Sequence, residues 1–342
     1  MTAPQPADTE PEPMPEAGHC RVWIERLSLT GFRNYESASL SLQPRPVVLV
    51  GENGAGKTNI LEAVSLLAPG QGLRRASTLD LGRQGGDGAW AVSATVHGGT
   101  FEVRIGTGLT ADMAAPAVAG LAKPPARAVR IDGEAQRSSS ALAEYVEMVW
   151  LTPALDGLFV GAAGDRRRFL DRLVVCFDPA HSTRVSQFER AMRQRNRLLE
   201  NRAAGSDAAL TAIERVMAET GVALGAGRVA AIEALRHTMA IRREERAGSP
   251  FPWADVALEG GLAEDLGCDA AVDVEDRYAR TLADVRGRDA RAGRALDGPH
   301  RMDLAVTHGP KQMAARFCST GEQKALLVGL VLAHAAMLSA RA

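Results

Sequence analysis

Eight consecutive residues, Gly51-Glu52-Asn53-Gly54-Ala55-Gly56-Lys57-Thr58, fit the pattern G-x-x-x-x-G-K-[ST]. The chemistry open to such a run is capture of a polyphosphate. Glycines let successive backbone N–H groups turn inward around phosphate oxygens. A helix opening after Gly56 adds the positive end of its dipole. Lys57 then reaches the β- and γ-phosphates, and the Thr58 hydroxyl is suited to hold Mg²⁺. A second pattern, Ser319-Thr320-Gly321-Glu322-Gln323-Lys324, precedes a long apolar stretch. Serine caps a helix there and glycine admits close backbone approach, so this helix start is a second anion site. The third requirement is an acidic residue ending an apolar run, to hold Mg²⁺ and orient water. Val174-Val175-Cys176-Phe177-Asp178 has that form. It also continues the helical spacing of Phe169, Leu170 and Leu173, and Pro179 stands where a second carboxylate is wanted, so it reads as a helix end.

These residues need elements to hold them. Val47-Val48-Leu49-Val50 is wholly apolar and ends at glycine, which predicts a strand buried on both faces. Lys57 to Ala68 carries Ile60, Leu61, Val64, Leu67 and Ala68 at helical spacing. Alternation predicts strands over 21–29, 40–43, 89–97 and 100–106, with further strands over 127–132 and 146–151 and a Gly- and Pro-rich loop over 106–125. From Asp165 to Arg246 the chain turns rich in Arg, Glu, Leu and Ala. Two or three long helices are expected there, broken near Pro179 and 201–207. A strand over 254–260, a helix within 270–296, a strand over 303–307 and a helix over 318–339 complete the pattern. The result is an α/β nucleotide-binding domain interrupted by a helical insertion and then resumed.

The chain has 342 residues, 46% of them hydrophobic, enough for one large core or two modules. Its formal net charge is −1, so any affinity for nucleic acid must come from local basic patches. Lysine occurs only at Lys57, Lys123, Lys311 and Lys324, leaving arginine to carry the positive charge. Cys20, Cys176, Cys268 and Cys318 are not at metal-ligand spacing and read as thiols of a reducing cytosol. The longest apolar run, 325–338, is shorter than a bilayer span and contains His334. Residues 1–19 are rich in Pro, Glu and Ala without an apolar segment, and read as a disordered tail.

Taken in order, the motifs resemble those of the RecF family of bacterial recombination and DNA-repair proteins, short-armed relatives of the SMC ATPases. Leu29-Thr30-Gly31-Phe32-Arg33-Asn34-Tyr35 is similar to the family's L-x-x-F-R-N-Y. The phosphate loop continues in the family's manner through Asn59-Ile60-Leu61-Glu62-Ala63. Thr152-Pro153 and Arg166-Arg167-Arg168-Phe169-Leu170-Asp171 resemble its entry to a helical arm, and Arg193 to Leu199 resembles the arm itself. Gly298-Pro299-His300-Arg301-Met302-Asp303 resembles its G-P-H-x-D-D segment, and 319–324 resembles the signature of ABC-type ATPases. The resemblance spans about residues 22–342.

It implies a P-loop ABC/SMC-type ATPase head, residues 20–164 and 251–342, with an inserted α-helical arm at 165–250. It implies a site for ATP and Mg²⁺ built from Gly51 to Asn59, with Arg33 and Asn34 near the base or ribose. Ser319, Gly321 and Gln323 of a second copy would close over it in an ATP-dependent homodimer. His300 gains a nucleotide-proximal role by the same resemblance, against a structural role as the ordinary reading. The resemblance also implies duplex DNA binding beside single-stranded gaps, help in loading RecA with RecR and RecO, and a cytoplasmic role in the response to DNA damage. Arg74 and Arg75, after a Gly-rich turn, fall on the DNA-facing stretch, where a solvated charged turn is the alternative. Arg166 to Arg168, and Arg190, Arg193, Arg195 and Arg197, are further basic candidates that Asp165, Asp171, Glu189 and Glu200 can pair. In the family an apolar strand ending in two acidic residues follows the signature helix. The sequence ends at Ala342, about where it is expected, so a C-terminally incomplete chain is expected and the catalytic carboxylates stay unassigned. A nucleotide-binding DNA module that does not hydrolyse ATP, and a transport ATPase subunit, remain the alternatives.

Overall fold

The computed structural model describes residues 22–99, 101–114, 125–201, 207–245, 248 and 251–340. The expected tail, Cys20, and residues 115–124 of the Gly- and Pro-rich loop lie outside that set. Chain order begins with β1 (Trp23–Phe32), β2 (Tyr35–Ser41), α1 (Lys57–Ser65), β3 (Trp90–His97), β4 (Glu102–Leu109), a four-residue α2 (Ala111–Ala114), β5 (Ala128–Ile131) and β6 (Glu134–Gln136). The six strands form one antiparallel sheet in the order β2-β1-β3-β4-β5-β6. Alternation explains its two faces. Trp90, Val92, Ala94 and Val96 of β3 are all buried, and the register sets Leu29 opposite Val92 and Ala94 opposite Ile105. Ala63, Leu66 and Leu67 at the end of α1 pack on that apolar face.

The second part runs α3 (Ala163–Val175), α4 (His181–Glu200), α5 (Asp207–Glu245), β7 (Ala254–Glu259), α6 (Ala263–Cys268), α7 (Ala271–Asp284), α8 (Arg286–Ala292), β8 (Asp303–His308), β9 (Met313–Ala314) and α9 (Thr320–Ser339). The strands pair antiparallel as β7-β8-β9. Leu170, Leu173 and Val174 of α3 share a core with Ile232 and Leu235 of α5, Leu304 and Val306 of β8, and Leu326, Leu327 and Leu330 of α9. The far half of α5 packs with α4 and α7 around Phe188, Met217, Val222, Val274 and Tyr278. Helices beyond residue 250 thus join the packing of the expected arm. Each such side chain removed from water stabilises the fold by about 1.5–3 kcal/mol before entropy is counted.

Three expectations need correction. Val47–Val50 forms no strand, with Val48 78% and Val50 85% exposed. A run apolar on both faces becomes a strand only where neighbours take its N–H and C=O groups and cover it. No described strand pairs with it. Residues 146–151 are irregular for the same reason, and Val47, Leu49 and 146–148 line one cavity of about 400 Å³. The short hairpin strand at 134–136 was not foreseen. Third, α9 reaches 20 residues and is long and apolar enough to cross a membrane by length and composition. In this fold it is a core helix: Leu326, Leu327, Leu330 and Ala333 are buried, and His334 Nε2 donates to the Leu173 carbonyl at 3.0 Å.

The arginines of the second part are mostly joints. Arg166 lies bidentate on Asp303, at 2.8 and 2.6 Å, and also donates to the Gly161 carbonyl. Arg167 donates to the Met302 carbonyl, and Arg168 pairs with Asp165. The run expected as a basic surface patch therefore staples α3 to β8. Asp171 takes His181 and Arg228 in place of its arginine neighbours. Burial would raise that carboxyl, and the His181 and Arg228 hydrogen bonds overcome it, leaving it below its ordinary range. Arg193 pairs with Glu189 as expected. Arg195 is instead fully buried, bonded to Glu214, Asp289 and the Leu282 carbonyl.

Candidate functional site

The phosphate-loop conformation is set by its glycines. Gly51, Gly54 and Gly56 have φ of 147°, 88° and 96°. Gly56 is constrained twice: a Cβ there would meet Tyr35 Oη at 2.5 Å and Asn34 Nδ2 at 2.7 Å. It is also the N-cap of α1, with no side chain capping the first turn and no acidic residue in it. The opening amides and dipole of α1 are therefore presented to an anion. Lys57 folds its ammonium across the loop onto the carbonyls of Gly51 and Glu52, at 2.7 and 2.6 Å. Glu52, Asn53, Ala55 and Thr58 are exposed along the loop. This donor set fits a polyphosphate, and the hydroxyl at Thr58 fits an oxygen-seeking cation.

The hairpin between β1 and β2 explains why Phe-Arg-Asn-Tyr stands beside this loop. Phe32 is buried against Trp90 and anchors the turn. Arg33, at φ 54°, lies bidentate on Glu62 of α1 with both bonds 2.8 Å, and donates to the Asp80 carbonyl. Asn34 accepts from the Asn59 amide at 2.7 Å. The Tyr35 hydroxyl contacts the Ala55 carbonyl at 3.4 Å. Arg33, Asn34 and Tyr35 thus grip the loop or the first two turns of α1. Arg33 is committed to that grip and Asn34 lies against Gly56, so of the two, Asn34 is the one at the loop surface.

Two residues central to this geometry were missed in the sequence. Glu62 is buried and also receives Arg74, at 3.1 Å, while Arg74 bonds Asn59 at 2.9 Å. Its signal was a carboxylate on the buried side of a helix with arginines nearby in sequence. Arg127 closes the other end of α1, donating to the carbonyls of Leu66, Ala68 and Gly70 and to Thr107 Oγ1. Burial pushes its pKa down to about 10, which still leaves it charged at neutral pH. Of the two arginines proposed for DNA, Arg74 is engaged with Glu62 and Asn59, whereas Arg75 is exposed at φ 53°. The like charge of Arg75 adds to burial in lowering Arg172 to about 10, and Arg172 lies over the Trp150 ring at 5.4 Å.

The second pattern begins α9 with a full capping box. The Ser319 hydroxyl accepts from the Glu322 N–H and donates to Glu322 Oε2 at 2.9 Å, and the same carboxylate accepts from the Ser319 N–H at 3.0 Å. Lys311 adds an ion pair of 2.5 Å to the other oxygen. The Lys311 ammonium and then the Ser319 N–H hold the Glu322 carboxyl down at about 2. Gly321 is exposed with open space at its Cβ position. Gln323 is buried and spends its amide on the Cys318 carbonyl at 2.8 Å, which orients the turn from within. Among the described residues no hydrogen bond or ion pair joins 51–58 to 319–323. A cavity of about 730 Å³ lies beside Lys311, Glu322 and Trp253 and is not lined by the phosphate loop, whose residues 51–55 and Thr58 are exposed.

Other candidates resolve into structural roles. Asp178 lies in the turn between α3 and α4, where it pairs with Arg184 and accepts from the Ala180 N–H. His300 donates from Nε2 to the Ala295 carbonyl and lies on Phe188. Among the described residues, no cluster of three His, Cys, Asp or Glu side chains is placed to hold a metal.

The family model described as RecF/RecN/SMC N terminal domain matches residues 23–341. The DNA replication and repair protein RecF of Mesorhizobium japonicum is 51% identical over 312 residues, covering 91% of this chain and 79% of that protein. The RecF of Brucella suis is 50% identical over 316 residues, covering 92% and 78%. A solved structure of the recombination mediator protein RecF with ATP in the RecFOR pathway superposes with a TM-score of 0.75 at 19% identity, covering 94% of this chain and 83% of that one. That likeness shows the fold, an ATPase head of mixed sheet and helix, while half the residues match in the two relatives. With its loop, hairpin and capped helix arranged as described, the chain belongs to the RecF family of the RecF/RecN/SMC N-terminal domain proteins.

Proposed function

We propose that this chain is an ATP-dependent DNA-binding protein of recombinational repair and replication restart. Its family supports that reading, and the observation that carries it is the uncapped start of α1 behind the phosphate loop, with Lys57 folded across it. The α1 loop binds the triphosphate of ATP through the N–H groups and Lys57, with Thr58 holding Mg²⁺. Ser319 and Gly321 of a second copy complete the site, with Gln323 positioning that turn from inside. Asn34 and Asn59 border the nucleotide, and Arg33 holds Asn34 in place through Glu62. ATP then favours the closed homodimer because it binds both surfaces only when they meet.

Duplex DNA beside a single-stranded gap is the DNA substrate of this reading. Arg75 is free to contact phosphate, and Arg74 joins it only by leaving Glu62. Such binding is sequence-independent and weakens steeply with salt. RecR and RecO are the partners and RecA loading the outcome, as the RecF family and the RecFOR pathway of its structural neighbours suggest. The setting is the cytoplasm, without a membrane partner. A nucleotide-gated module that does not cleave ATP is the second reading, favoured by the tie between Asp178 and Arg184; phosphate release separates the two.

Sedimentation velocity with and without ATP and Mg²⁺ tests the dimer. The protein dimerises with ATP, and Lys57→Ala and Ser319→Arg abolish the effect. An S319R variant that dimerises normally with ATP rules out closure over Ser319.

A further inference from the structure

The hydroxyl expected to meet the partner's nucleotide is already occupied. Ser319 Oγ donates its one hydrogen to Glu322 Oε2, and a phosphate oxygen needs that same hydrogen. Glu322 is in turn fixed from the other side by Lys311, which reaches it from the turn between β8 and β9. That turn is itself built: the Lys311 N–H donates to His308 Nδ1 at 3.2 Å, and the Gln312 amide donates to the Gly309 carbonyl at 2.6 Å. His308 is buried, with Nε2 4.0 Å from the same carboxylate oxygen. An intramolecular carboxylate, held by a lysine, thus stands where an incoming phosphate is required.

We propose that Lys311 and Glu322 form an electrostatic latch on Ser319, which the triphosphate bound to the other copy opens by displacing Glu322 and taking over the Lys311 ammonium. This rests on the closed-dimer reading above and adds its regulation. Two anions cannot share one helix start and one serine hydrogen, so closure and the Ser319–Glu322 bond exclude each other. The carboxylate stays ionised throughout the physiological range, so the latch opens by exchange of anions and not by protonation. Lys311, half exposed, loses no partner in the exchange because a phosphate oxygen replaces the carboxylate oxygen. The latch makes dimerisation demand a nucleotide with a terminal phosphate able to reach Ser319 and discourages empty or diphosphate-bound copies from pairing.

Glu322→Gln tests the electrostatic part of the latch: the amide oxygen still accepts from the Ser319 N–H and hydroxyl, but as a neutral acceptor that no longer repels the phosphate and competes less well for that hydrogen. Lys311→Met, on the surface, provides the second variant. The readout is the ATP concentration at half-maximal dimerisation by sedimentation, with a thermal melt for each variant. A latch open about one-tenth of the time raises that concentration about tenfold over an unlatched protein. E322Q is therefore expected to lower the midpoint up to about tenfold and to admit some pairing with ADP. K311M is expected to raise the midpoint, since the Ser319 N–H and hydroxyl still hold Glu322 in the capping box while the phosphate loses its cation; a K311M midpoint at or below that of the unaltered protein overturns the exchange. If E322Q folds and its midpoint equals or exceeds that of the unaltered protein, Glu322 is only a helix cap and the latch is wrong. An unaltered protein that stays monomeric with ATP overturns the closed-dimer reading and the latch with it, so the two failures differ.

Discussion

Replacing Glu62 with alanine tests whether the β1–β2 hairpin holds the phosphate loop in place. The carboxylate accepts three charged hydrogen bonds, two from Arg33 at 2.8 Å and one from Arg74 at 3.1 Å, and is itself 2% exposed. Removing one partner of a buried pair costs about 3–5 kcal/mol because the other charge is stranded. Arg33 is 20% exposed and keeps the Asp80 carbonyl, so the lower end applies. Arg74, 43% exposed, regains water and adds at most about 1 kcal/mol. E62A should therefore lose about 3 kcal/mol of stability in urea unfolding followed by circular dichroism. A double-mutant cycle with Arg33→Ala should return a coupling of about 2 kcal/mol. ATP affinity should fall as well, because Asn34 and Tyr35 no longer hold Gly56 and Ala55. A loss under about 1 kcal/mol, or a coupling near zero, would refute the claim that the hairpin positions the loop.

Two further outcomes follow from the buried charges. Arg195→Met should cost about 3 kcal/mol in the same unfolding assay, since the buried Asp289 loses its 2.7 Å cation and keeps only the longer bonds from Arg288 and the Leu296 N–H, while Glu214 keeps Arg286; a loss below about 1 kcal/mol would mean that the network is not closed to water as the geometry implies. Burial lowers the pKa of both His300 and His334 from the ordinary 6.5. The unfolded chain then takes up their protons first as pH falls, so stability declines below about pH 6.5 by at most about 1.4 kcal/mol per pH unit for each histidine. His334→Gln should flatten that slope between about pH 6.5 and 5, and an unchanged slope would show that His334 is not buried neutral.

What was legible in the sequence was whatever lies close together along the chain. The phosphate loop, the capped start of α9, and the helices over 165–246 are specified by local spacing and appear as expected. The Phe-Arg-Asn-Tyr run was visible as a pattern but not as a mechanism, because its partners Ala55, Asn59 and Glu62 come from a different element. Lys311, Glu62 and Arg127 escaped notice for the same reason: each acts through a group that only the fold brings near, Arg127 on carbonyls some sixty residues away. Basic runs misled in the opposite direction, since Arg166, Arg167 and Arg195 look like surface charge until Asp303, Met302 and Glu214 are placed against them.

The Val47–Val50 run shows the remaining limit. Its composition specifies the environment it needs, cover on both faces and partners on both edges, and composition cannot supply that environment. The hairpin and α1 grip the loop from the side of Asn34 and Glu62, and the run 47–50 leads into it with Val48 and Val50 in water. Among the described residues, the side chains that hold the loop come from the hairpin and α1, with Lys57 reaching back to Gly51 and Glu52. A strand pairing with residues 47–50 would supply the hydrogen-bond partners and cover that their composition calls for, next to the carbonyls on which Lys57 rests.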